Sequence, residues 1–165
     1  MLDIVLRSGG QTGVDRAVLD FAIRTGRRYE GWCPRGGWAE DHPVPPGLLA
    51  TYPRLAETPS SEPDQRTAWN VRDSHATLIL VCRDAATQSP GTQWTQQAAE
   101  VIFLRPCRRI DLAQPDAAAT AWQWLKGLAG LWGLSDLHLN IAGPRESESP
   151  GIYALTLDFL ARCLP

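Results

Sequence analysis

Lysine is almost missing from this chain. Lys126 is the single one, so no glycine-rich turn can be completed as a Walker phosphate loop, which needs a lysine after its glycines. The remaining basic side chains are arginines, with Arg105, Arg108 and Arg109 a tight group. With a net charge of -2, that leaves no basic stripe of the kind that grips a nucleic-acid backbone. Cysteine is sparse: Cys33, Cys82, Cys107 and Cys163 are scattered, with no CxxC pair and no histidine at zinc-ligand spacing, so disulfide and metal frameworks lack support. Long apolar runs are absent too. The longest, around residues 78–82, is far short of the roughly 20 that span a bilayer. Met1 leads straight into an apparent strand, and the expectation is a cytoplasmic protein with neither membrane nor nucleic-acid partners.

The 165 residues, 44% of them hydrophobic, suffice for one domain over 1–165 with one core. A β-branched run at 2–7 stops at Ser8-Gly9-Gly10-Gln11-Thr12-Gly13, after which Val14, Val18, Leu19, Ala22 and Ile23 recur at helical spacing. Thr12 and Asp15 have the form of a capping box, and Gly26 is placed to stop the helix. Residues 29–63 are rich in Gly and Pro, which predicts a long irregular connection anchored by Trp32, Trp38, Tyr52 and Leu55. A helix at 65–73 and a doubly buried strand at 76–82 follow. Further on come a turn at Ser89-Pro90-Gly91-Thr92, a helix around 94–103, a weak strand at 107–112 and a helix at 116–131. A strand at 137–142 then precedes a last helix at 150–164, with Ser149 as its N-cap and Pro150 in its first position. The alternation predicts an α/β fold, a mostly parallel sheet of about five strands with helices on both faces.

In such a sheet the strand ends near Arg7, Cys82 and Ala142 open on one edge, so three glycine-bearing turns face one crevice. Each leads into a helix N-terminus, whose free N–H groups favour an anion. The expected ligand-binding residues are therefore Ser8, Gly9, Gly10, Gln11, Thr12 and Gly13 in the first turn and Gly91 and Thr92 in the second. Gly143, Pro144, Arg145, Glu146 and Ser147 form the third, where Arg145 offers a bidentate donor. Arg66, Asn70 and Asp73 share one helix face. Arg35, Glu40 and Asp41 sit beside Trp38 on the long connection, where a ring can stack on a base or pterin and a carboxylate can take a hydroxyl. Neither the dinucleotide fingerprint nor a nucleophile–base pair is present.

These motifs form a set. Ser8-Gly9-Gly10-Gln11-Thr12-Gly13-Val14-Asp15-Arg16, Gly31-Trp32-Cys33-Pro34-Arg35-Gly36, Ala39-Glu40-Asp41, Glu57-Thr58-Pro59-Ser60, Gln65-Arg66-Thr67, Asn70-Val71, Asn140-Ile141-Ala142-Gly143-Pro144-Arg145-Glu146-Ser147 and Pro150-Gly151-Ile152 resemble the molybdenum carrier family. Its members are also described as circularly permuted, YpsA-like members of the SLOG superfamily. The resemblance covers nearly the whole chain in order. It implies a Rossmann-like three-layer domain that binds a nucleotide or molybdopterin-type ligand at its glycine-rich turns, as a homo-oligomer, dimer or tetramer. The chain departs from the family pattern at His75, where an acidic residue is expected, at Gly37, where a basic one is common, and at Gln88-Ser89-Pro90-Gly91-Thr92, which has one glycine.

The functional expectation is a binding or carrier protein for a small phosphorylated ligand, either molybdenum cofactor (molybdopterin) or a nucleotide, with no metal held by the protein itself. A hydrolase of nucleotide N-glycosidic bonds is the alternative, with Glu40, Asp41 or Asp15 as general acid or base. It is weakened because Gln93, Gln96 and Gln97 follow the Pro-Gly turn, and Glu100 is the nearest carboxylate. A nucleotide sensor ranks third.

Overall fold

A computed structural model describes residues 2–82 and 89–164. Six strands, β1 (Asp3–Arg7), β2 (Tyr29–Cys33), β3 (Leu55–Glu57), β4 (Ala76–Val81), β5 (Cys107–Asp111) and β6 (Asp136–Ala142), form an all-parallel sheet in the order β3-β2-β1-β6-β4-β5. The helices are α1 (Val14–Thr25), α2 (Leu48–Thr51), α3 (Pro63–Arg72), α4 (Pro90–Gln97), α5 (Ala117–Trp132) and α6 (Ile152–Cys163). Connections from β1 to β2, β2 to β3 and β5 to β6 run one way along the sheet, whereas β3 to β4 and β4 to β5 run the other. Right-handed crossovers therefore send the two sets of helices to opposite faces. In agreement, α6 packs against both α1 and α5, and α3 packs against α4.

Alternation along the strands sorts the side chains by face. Ile4, Leu6, Leu78, Leu80, Leu137, Leu139 and Ile141 join the buried residues of α1, α5 and α6 in the main core. Each such side chain contributes about 1.5–3 kcal/mol, so this layer is the principal stabilising one. The other face carries a small apolar cluster of Val71, Ala98 and Ala99. It has room for polar groups.

The sheet has one strand more than the sequence predicts. Both β2 and β3 lie inside the Gly- and Pro-rich connection, where β2 is only five residues long and β3 three. Helix starts also differ. α1 begins after Gly13 with no side-chain cap, because Thr12 donates to Glu40 and Asp15 turns toward Arg66. α4 begins at Pro90, with the Ser89 hydroxyl accepting from Thr92 N, and runs on into a wider π turn over Ala98–Ile102. α6 starts at Ile152, two residues after the expected position, because the Glu146 carboxylate accepts from the N–H groups of Gly151 and Tyr153. A carboxylate outcompetes a serine hydroxyl for those donors. Gly26 ends α1 in the left-handed conformation, as expected.

Candidate functional site

β1, β6 and β4 are neighbours, so the turns that follow them crowd one stretch of the sheet edge. The helix after β6 leaves on the first face and the helix after β4 on the second, and a crevice opens where the two directions part. A cleft of about 590 Å³, counted with the solvent in its mouth, lies there. Gln11 and Asp15 line it from the first turn and α1, Ser89, Gly91 and Thr95 from α4, and Ala142, Gly143 and Arg145 from the end of β6. Arg66 and Thr67 form its α3 wall, with Trp38 on the long connection opposite. The three predicted turns thus meet. Gln88, the first residue of the α4 turn motif, lies outside the described residues.

At the floor, Arg66 Nη1 donates to Asp15 Oδ2 at 2.9 Å, with side chains 14% and 5% exposed. Burial pushes the Asp15 carboxyl above its usual range, against the pull of the Arg66 guanidinium and a bond from the Gln11 N–H. Arg66 Nε is buried without a hydrogen-bond partner among the described residues, so the pair leaves donor capacity unused.

The rim is built differently. Glu40 accepts from the Thr12 hydroxyl, from the Ser147 hydroxyl at 3.0 Å and, loosely, from Arg145 Nη1 at 3.5 Å. These bonds, the Thr12 one foremost, hold the Glu40 carboxyl below its usual range. Asp41 points away, in a bidentate pair with Arg16 whose N–O distances are both 2.8 Å, and it lines a separate depression with Asp20 and Tyr153. Arg16 in turn donates to Gly10 O. Glu40 and Asp41 therefore clamp the long connection to the first turn.

The backbone amides serve other ends than the sequence suggests. Gln11 N donates to Asp15, Thr12 N to Gln11 Oε1 and Val14 N to Pro144 O, while Arg145 N donates to Glu148 and Glu146 N to Thr12. The glycines serve packing: a Cβ at Gly13 would stand 2.4 Å from Pro144 O, and one at Gly10 would stand 2.8 Å from Leu48 Cδ1 in the core. Positive charge at the cleft comes from the side chains of Arg66 and Arg145. Asp15, Asp64 and Glu148 in the same lining outnumber them by one.

Other predicted residues are spread around this centre. The Ser8 hydroxyl is buried on Asp15 O, and Thr92 packs its hydroxyl against Ser89. Asn70 clamps the backbone of Trp32 through both ends of its amide, and Asp73 accepts from Trp32 Nε1. Pro144 receives α1, Glu146 caps α6 and Ser147 holds Glu40. Arg35 lines an adjoining groove. Thr67, Thr95, Asp64 and Glu148 were not among the expected ligand-binding residues; Thr67 stands in the Gln65-Arg66-Thr67 block, Thr95 one turn after Gly91 on α4, and Asp64 and Glu148 carried no signal of their own. No group of three metal-ligating side chains exists among the described residues, and burial pushes the thiols of Cys33 and Cys107 up to about 11.

Residues 6–164 match the model of the circularly permutated YpsA SLOG family. The chain belongs to that family. This SLOG domain is also similar, at 37% identity and a TM-score of 0.81, to the crystal structure of a putative molybdenum carrier protein from Syntrophus aciditrophicus SB, with 99% of this chain and 96% of the other covered. No curated protein matches it. The family explains why so many separate blocks agree, and three of them meet at the cleft through Gln11 and Asp15, Arg66 and Thr67, and Ala142, Gly143 and Arg145. Two of its departures have a local cause. Gly37 has a φ of 67°, and a Cβ there would meet Pro46 O at 2.3 Å, which bars a basic side chain. His75 accepts from His138 N through Nδ1, a bond between neighbouring elements. No helix among the described residues is long and apolar enough to cross a membrane.

Proposed function

We propose that the cleft binds a small phosphorylated ligand, a nucleotide or a molybdopterin-type cofactor, and carries it without turnover. The supporting observation is the pair of guanidiniums on one cleft, Arg66 with its unpartnered buried Nε and Arg145 only loosely paired. Arginine forks suit phosphate oxygens, and low exposure strengthens them. The carboxylates of Asp64 and Glu148 on the same lining favour a ligand that also presents hydroxyl or N–H donors, over a bare oxyanion. The donors present fit the phosphate of molybdopterin and leave its metal to the cofactor's own atoms, since the described residues hold no metal-ligand cluster. Of the three candidate acid–base carboxylates, Glu40 and Asp41 are engaged at the clamp and Asp15 is engaged with Arg66, which favours carriage over hydrolysis.

Thermal shift against nucleoside monophosphates, larger nucleotides and molybdopterin, followed by chromatography of each mixture, tests this. A ligand at 100 times its dissociation constant is expected to stabilise by about 2.7 kcal/mol, or roughly 5–11 °C for a domain of this size. Release of free base would replace the carrier reading with the hydrolase. No shift with any member would remove the phosphorylated-ligand reading.

A further inference from the structure

A second cavity, about 700 Å³ with its open side, continues from the cleft and shares Trp38 and Pro63 with it as a common wall. Arg35 and Glu62 also line this groove, and Pro43 and Pro45 add flat apolar surface. Arg35 is fixed at its backbone, where its N–H donates to Ser60 O and the next amide, of Gly36, donates to Glu57 Oε2 at 2.7 Å. Glu62 is fixed too, its N–H donating to the Ser60 hydroxyl. Both side chains are exposed, and among the described residues neither charged end has a partner. Opposite charges in one groove that do not pair with each other leave a donor fork and an acceptor facing shared space. The indole of Trp38, half-buried between the two cavities, supplies a stacking surface.

We infer that this groove reads the edge of a flat heterocycle that carries a carbonyl next to ring and exocyclic N–H donors, the fused 2-aminopyrimidin-4-one ring common to guanine and pterin. The inference rests on the phosphorylated-ligand reading of the adjoining cleft. With the phosphate at Arg66 and Arg145, the ring reaches Trp38 and its far edge enters the groove. Arg35 donates to the carbonyl oxygen and Glu62 accepts from the ring N–H and the amino group. Adenine offers neither the carbonyl nor that donor pair, so it leaves both charges unsatisfied. Hypoxanthine keeps the carbonyl but loses the amino group.

The test is calorimetric titration with GMP, IMP, AMP and neopterin monophosphate. Thermal denaturation of each variant confirms its fold. GMP or neopterin monophosphate, whichever source supplies the ring, is expected to bind about ten- to hundredfold more tightly than AMP, with IMP between. Glu62→Gln is expected to lower affinity for the amino-bearing ligand about tenfold and for IMP, which keeps the ring N–H, by less, while leaving AMP unchanged, and Arg35→Ala to lower GMP and IMP alike. If GMP, neopterin monophosphate and AMP bind equally, or if both variants bind as wild type, the groove does not read the ring and this inference fails while the phosphate cleft stands. If none of the four binds, the cleft reading fails first and takes this one with it.

Discussion

Two arginine–carboxylate pairs border the cleft and differ in almost every physical respect. Arg66–Asp15 on the floor is short and nearly water-free, whereas Arg145–Glu40 on the rim spans 3.5 Å with Arg145 44% exposed. Solvent screens the rim pair, so its contribution to stability is small and its guanidinium is free to turn to a ligand. Burial makes the floor pair interdependent: either partner alone would be an uncompensated charge. The floor shapes the domain and holds a donor ready; the rim offers a second donor that solvent leaves movable.

The largest effect is expected from breaking the floor. Asp15→Ala strands the Arg66 guanidinium and should destabilise the domain by about 3–5 kcal/mol in urea unfolding; a loss below ~1 kcal/mol would make the two pairs equivalent. Gly9→Ala comes next and sharpens the contrast, because the new methyl would stand 1.8 Å from Arg66 Nη1, the movable end of a flexible side chain. We expect nucleotide affinity to fall about tenfold, with a stability loss of only ~1–2 kcal/mol. Unchanged affinity would take Arg66 out of the site. Arg145→Ala should also weaken ligand binding about tenfold, yet change stability by less than ~1 kcal/mol.

The smallest effect concerns pH, and here the two pairs have opposite signs. Glu40 has a depressed pKa in the fold, so the stability it supplies is present above its ordinary value of 4.5 and is lost as pH falls below that. Asp15 has a raised pKa, so its contribution declines as pH climbs from its ordinary 3.8 toward the folded value. The stability difference between wild type and Glu40→Gln, followed by chemical denaturation, should therefore be largest near neutrality and close in acid. A difference that stays constant with pH would show that the Thr12 and Ser147 bonds hold Glu40 equally well when it is protonated.

The sheet was legible wherever strand and helix obeyed their periods, as at β1–α1 and β4. It was illegible at β2, with its Gly31, and at the three-residue β3, which hide among the turns of the long connection; pairing of β2 with β1 and of β3 with β2, not intrinsic preference, makes them strands. The site was legible as a place. Converging strand ends follow from topology, and Arg66 and Arg145 both line the cleft on which those ends open. The roles within it were less so. Helical spacing groups Arg66 with Asn70 and Asp73, but it cannot tell that the last two are spent on Trp32 while the first finds Asp15. Nor does a glycine-rich turn reveal whether its amides are free: here Gln11, Thr12 and Val14 have partners. Competition among donors is a tertiary property.

The interlock of Gly13 and Val14 with Pro144 joins segments far apart along the chain; the bond from Glu146 N to Thr12 alone links residues 134 positions apart. A ribosome adding about 5–20 residues per second needs on the order of ten seconds to make that stretch. Throughout that interval β1 waits without its inner neighbour, and no cleft exists to receive a ligand. The pocket thus forms only once β6 and the turn after it have been made, so ligand uptake can serve as a readout of that step in folding.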